Sequence, residues 1–89
     1  MIRYQAGYKY VESGVHAQVL DFPAAITCAN GLPEARRLLA IALVDVAEAA
    51  MKFGTPLSIP DPTVTNSEMD IEEPIYLHLA SGNGAMCSA

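Results

Sequence analysis

The stretch NGLPEARRLLAIALVDVAEAAMKFG, residues 30–54, reads as one long helix with a marked start and stop. Placing Ala35 at zero and stepping about 100° per residue brings Leu38, Leu39, Ala42, Val46, Ala49, Ala50 and Phe53 within about 60° of it. Leu43 falls at the margin of that apolar stripe. Pro33 lies in the first turn, where a missing N–H costs nothing, and Glu34 sits at the positive end of the helix dipole. Gly54 follows the last periodic residue and Pro56 comes two positions later, which stops the helix. Burying Leu38, Leu39, Val46 and Phe53 stabilises by roughly 1.5–3 kcal/mol each, provided a sheet lies beneath them.

The residues before the helix supply that sheet. Ile2, Tyr4, Ala6, Tyr8 and Tyr10 alternate with Arg3, Gln5, Gly7 and Lys9. This period of two marks a half-buried strand with one wet face. Ser13-Gly14 is hairpin chemistry, and Val15, Ala17 and Val19 then face one way against His16, Gln18 and Leu20. Asp21-Phe22-Pro23 ends the second strand, because Pro cannot donate to a ladder and restricts the residue before it. Ile26 to Ala29 is a short third strand. The expectation is an α+β domain, a three-stranded antiparallel meander with the helix packed on one face.

After Gly54 the character changes. Pro56, Pro60, Pro62 and Pro74 punctuate residues 55–74, a Pro-rich acidic linker longer than most connections inside a compact domain. Ile75-Tyr76-Leu77-His78-Leu79 adds a short fourth strand. Following a helix, it lies most simply parallel to the first strand through a right-handed crossover. Residues 81–89 are small and polar apart from Met86 and Cys87, and read as a flexible tail. The expected organisation is a single domain over residues 1–80, without internal repeats.

Composition narrows the function. The chain has 89 residues, of which 52% are hydrophobic, enough for one small core. A net charge of -5 argues against broad nucleic-acid binding by this chain alone. The charge is lopsided. Residues 1–52 balance Arg3, Lys9, Arg36, Arg37 and Lys52 against Glu12, Asp21, Glu34, Asp45 and Glu48. Residues 53–89 hold Asp61, Glu68, Asp70, Glu72 and Glu73 with no Lys or Arg. That half is a candidate surface for a basic partner, the plainer alternative being a solvated segment. Cys28 and Cys87 make no disulfide framework and lack metal-ligand spacing to His16 and His78. The apolar runs are too short and interrupted to span a membrane, and the N-terminus is no signal peptide, so a cytoplasmic protein is expected.

Three segments carry a resemblance. Gly14-Val15-His16-Ala17-Gln18-Val19-Leu20-Asp21-Phe22-Pro23 is similar to the G-Y-x-A-x-x-P-D-L-P segment of the HicB-like antitoxin family. The residues from Pro23 to Ala35 resemble its P-G-C-x-T-x-G-x-T-x-x-E-A segment, with Pro23, Thr27, Glu34 and Ala35 matching. Gly54-Thr55-Pro56-Leu57-Ser58-Ile59-Pro60 is similar to the G-x-P-I-P-x-P that closes the family's helix. The resemblance implies a β-β-β-α-β domain, a pared-down relative of the ribonuclease H architecture. It also implies a partner, the small basic RNA-cleaving toxin HicA, which such antitoxins neutralise. Gly31 stands where the family often has a Thr N-cap, so only the Glu34 half of a capping box survives, a small loss because Gly is a tolerable cap. Ala24-Ala25 replace Gly-Cys. The chain ends soon after the fourth strand, leaving no room for the DNA-binding module many members carry, so no direct DNA binding is expected.

Kinship with ribonuclease H prompts a search for carboxylates that hold metal ions. Asp45 and Glu48 fall at about 280° and 220° on the wheel, away from the stripe that meets the sheet, and do not converge with Asp21. Lone strand histidines such as His16 and His78 are usually surface residues, and Cys28 has no basic neighbour in sequence. Ser81-Gly82-Asn83-Gly84 precedes no helix and makes a poor phosphate cradle. No catalytic residue, cofactor or metal is expected, and binding remains. Ala40, Val44, Ala47 and Met51 form a second apolar strip on the helix, at about 120–180°. Either they serve helix propensity alone or they pack on another chain. The competing contact is a sheet edge, through Ile26 to Ala29 or through Ile75, Leu77 and Leu79. Two functions stay open: an antitoxin-type inhibitor of a HicA-type toxin, and an orphan HicB-like domain forming a homo-oligomer, dimer or tetramer.

Overall fold

A computed structural model describes residues 1–78. The elements run β1 (Ile2–Val11), β2 (Gly14–Val19), β3 (Ile26–Ala29), α1 (Leu32–Lys52) and β4 (Ile71–Leu77). All four strands join one antiparallel sheet in the order β3-β2-β1-β4. The β-β-β-α-β order, the meander and the helix on one face are those the sequence predicts. Alternation decides which face is dry. Tyr4, Ala6 and Tyr8 of β1 and Val15, Ala17 and Val19 of β2 are buried toward the helix, with Ile75 and Leu77 of β4 beside them. The opposite face carries Arg3, Lys9, His16 and Gln18.

The fourth strand corrects two expectations. It runs antiparallel to β1, pairing Ile2 with Leu77 and Tyr8 with Ile71, instead of parallel through a crossover. It also starts four residues early, taking in Glu72, Glu73 and Pro74. The reason is the linker, which carries the chain from the end of α1 back to the Tyr8 end of β1. There the Asp70 N–H donates to the Tyr8 carbonyl at 2.8 Å and the Tyr10 N–H to the Asp70 carboxylate at 2.7 Å. Pro74 is tolerated because it stands opposite Gln5. The N–H and carbonyl of Gln5 are engaged on the β2 side, by the Asp21 carboxylate and the Leu20 N–H. In an antiparallel pair the imide nitrogen of Pro74 then faces the open sheet edge, where no donor is needed.

The helix caps explain its limits. The Gly31 carbonyl takes the Ala35 N–H at 2.9 Å, and the Glu34 carboxylate reaches back to the Asn30 N–H at 3.0 Å. At the other end the Thr55 N–H bonds the Ala50 carbonyl and the Gly54 N–H bonds the Met51 carbonyl. This double return needs a left-handed residue, which Gly54 provides at φ 71°. The buried line, however, is Ala35, Leu39, Leu43 and Ala47. It lies about 60° round from the expected stripe. Leu43, assigned to the margin, is fully buried, whereas Phe53 is 77% exposed. A helix laid on the twisted sheet contacts it along one i, i+4 ridge. On that ridge Leu39 and Leu43 fill the contact between two alanines, Ala35 and Ala47, while Leu38 and Val46 at its flank are half-buried.

The linker is tied down along its length. The Tyr4 hydroxyl donates to the Ser58 carbonyl at 2.7 Å, and Leu57 packs on the core. Asp21 is the junction: one oxygen takes the Gln5 N–H and the other the Asp61 N–H, both at 2.9 Å. Met69 returns over the outer sheet face at Gly7, where a β-carbon would sit 2.7 Å from its Cγ. Among the described residues, no helix is long and apolar enough to cross a membrane.

Candidate partner-binding surface

The helix strip is only partly available. Ala40 is exposed, Met51 is 50% exposed and Val44 is half-buried against the core. Ala47 is fully buried and is withdrawn from any contact surface, since it sits on the ridge that meets the sheet. Ile41, overlooked because it falls between the two strips on the wheel, is 49% exposed. Ile75 and Leu77 also turn into the core, where the β1 register places them opposite Tyr4 and Ile2. Their side chains offer a partner nothing, although the backbone of β4 remains a sheet edge. Leu79 and the tail lie outside the described residues.

The acidic half proves to be organised by its own carboxylates. The Asp61 carboxylate accepts the Thr63 hydroxyl and backbone N–H, which hold it below the usual carboxylate range. Glu72 takes the Thr65 hydroxyl at 2.7 Å and the Asn66 N–H at 3.2 Å. Asp70 closes the β1 contact described above. Glu73 makes a bidentate pair with Arg36 of the helix, at 2.9 and 3.0 Å, and lies against the Tyr8 hydroxyl. Burial first, then the Glu73 charge, push the Tyr8 hydroxyl up to about 12. Asp61, Glu68 and Asp70 stay exposed, so the linker presents anionic charge to solvent while Glu73 is neutralised internally.

The carboxylates weighed for catalysis stand apart. Asp21 is engaged by two backbone amides, and Asp45 and Glu48 lie exposed on the helix. Among the described residues, no three His, Cys, Asp or Glu side chains gather in a way that could hold a metal ion. Open grooves flank the fold among the described residues. One, of about 410 Å³, lies at the helix C-terminus between Phe22, Val46, Ala49, Phe53 and Pro56. Its wall is the uncovered part of the expected stripe. Another, of about 380 Å³, runs over the outer sheet face between Lys9, His16, Gln18, Cys28 and the segment carrying Asn66 and Glu68. The alternation of β1 and β2 pointed to its floor; its wall depends on the linker path, which no local pattern shows.

No family model matches the chain, and no curated protein matches it. Solved structures do. A chain of the HicA3 and HicB3 toxin-antitoxin complex superposes with a TM-score of 0.67 at 17% identity, covering 88% of this chain and 100% of that one. The N-terminal domain of the Burkholderia pseudomallei antitoxin HicB gives a TM-score of 0.70 at 16% identity, with the same coverage of 88% and 100%. The segments that resemble HicB-like antitoxins thus lie in a molecule of matching topology over most of its length. The chain has the fold of the HicB antitoxin N-terminal domain.

Proposed function

We propose that the chain is an antitoxin-type inhibitor that binds and neutralises a small basic RNA-cleaving toxin of the HicA type, and performs no catalysis itself. The observation that carries this reading is the fold, shared with a chain of a HicA3 and HicB3 complex over 88% of its length. Charge supports it. The side chains of Asp61, Glu68 and Asp70 are presented on one bound-down linker, and a preordered anionic surface speeds encounter with a basic partner. The contact is assigned to this linker and the adjoining β4 edge, because the outer sheet face carries Arg3 and Lys9. The test is co-expression with a HicA-type protein encoded beside the gene. Relief of growth arrest together with co-purification is the expected result; unrelieved arrest with no complex refutes the proposal.

A second reading rests on the helix. Ile41 and Met51, each about half exposed, with Ala40 and the edge of Val44, favour association of the chain with itself as a dimer or tetramer. Light scattering of the purified chain separates the two: a stable oligomer without any toxin-directed effect supports the orphan role.

A further inference from the structure

Lys9, His16 and Cys28 are consecutive partners across β1, β2 and β3, so their side chains form one row on the outer sheet face. The Cys28 sulfur lies 3.7 Å from His16 Nδ1, within hydrogen-bonding reach for sulfur. Cys28 is exposed and sits on an edge strand, so its sulfur is open to in-line approach. The row forms the floor of the groove of about 380 Å³, walled by Asn66 and Glu68. A nucleophile beside a base, in an open groove with a cation along its floor, is the arrangement an activated thiol requires.

We propose that Cys28 is a reactive thiol whose partners are small carboxylate-bearing disulfides, with His16 as its base and Lys9 as the anchor for the carboxylate. The Cys28 S–H gives its proton to His16 Nδ1, and the sulfur attacks one sulfur of the incoming disulfide. A Cys28–S–S–R bond forms and the S–S bond of the incoming disulfide breaks. The departing thiolate takes the proton back from the imidazolium. Cys28 is thereby oxidised and one half of the disulfide is reduced to a thiol. The other half remains as an anionic adduct beside Lys9, which changes the charge of the sheet face reversibly. Glu68, on the wall of the same groove, disfavours a carboxylate on its own side and directs the adduct toward Lys9.

The test uses the full chain carrying Cys87→Ser, which leaves Cys28 as the sole thiol, and dithiobis(nitrobenzoate) as the anionic probe. Folded Cys28 is expected to react about 5-fold or more faster than the same chain unfolded in urea at equal pH. His16→Asn abolishes that advantage. Lys9→Gln slows the anionic probe by about 3-fold and leaves neutral dithiodipyridine unaffected. Incubation with glutathione disulfide yields a mixed disulfide at Cys28 by mass spectrometry. A folded rate equal to or below the unfolded one overturns the proposal without recourse to any variant, and so does an unchanged rate in His16→Asn. Equal slowing of both probes by Lys9→Gln removes Lys9 from it.

Discussion

Asp21 shows how much one side chain can decide. It ends β2 in the sequence as an ordinary turn residue, and it invited a metal-ligand reading. In the fold it joins β1 to the linker through the Gln5 and Asp61 amides. Replacing it with Ala leaves both N–H groups to water and removes two charge-assisted bonds. Asp21→Ala is expected to lose about 2–3 kcal/mol in urea unfolding, with Asp21→Asn in between. Tyr8 makes a second residue-scale prediction, in alkali. Its folded pKa is raised from 10.0 to about 12, so the unfolded chain releases the proton first as pH rises. The stabilisation is present in full below pH 10 and is lost from there toward pH 12. The raised Tyr4 hydroxyl, pushed up by burial and by Asp21, acts in the same direction. Urea midpoints measured from pH 9 upward are expected to fall, and Tyr8→Phe to flatten that fall.

At the scale of elements, legibility followed local regularity. β1, β2, β3 and α1 were readable because each combines a clean period with its own stop: Ser13-Gly14, Pro23, Pro33 and Gly54. β4 was half readable. Ile75 and Leu77 announce a strand, but Glu72, Glu73 and Pro74 look like linker until Arg36 and the sheet edge account for them. Its direction depends on where a linker of some eighteen residues, 53–70, re-enters the sheet, a question settled by the Asp70 contacts with Tyr8 and Tyr10. The helix face differs for another reason. The apolar positions run on to Phe53 and centre a stripe at 0°, whereas the sheet meets a single i, i+4 ridge and leaves Phe53 outside it. Leu43→Ala is therefore expected to cost about 2–5 kcal/mol, as a fully buried leucine does. Phe53→Ser, at the edge of an open groove, is expected to stay within about 0.5 kcal/mol. Denaturation midpoints of the two variants check the corrected face directly; equal losses would restore the original stripe.

The described residues form a thin layered object, one sheet under one helix, with an acidic strap that runs from the helix back to the sheet. Its candidate contact residues were the least legible part. Ala47, Ile75 and Leu77 were proposed from apolar character, which marks core and interface alike, and the monomer's own core takes all three. Sequence pattern distinguishes buried from wet faces, but it does not say which partner does the burying. What survives is the charge asymmetry. Asp61, Asp70 and Glu72 shape the strap through hydrogen bonds and still leave it anionic, so structure and recognition draw on the same residues. The most direct measurement is RNA cleavage by a purified HicA-type toxin titrated with this chain. The account predicts stoichiometric loss of cleavage, weakened as salt is raised, and no cleavage by the chain alone. Undiminished cleavage at a molar excess of the chain, with no complex in light scattering, would contradict it.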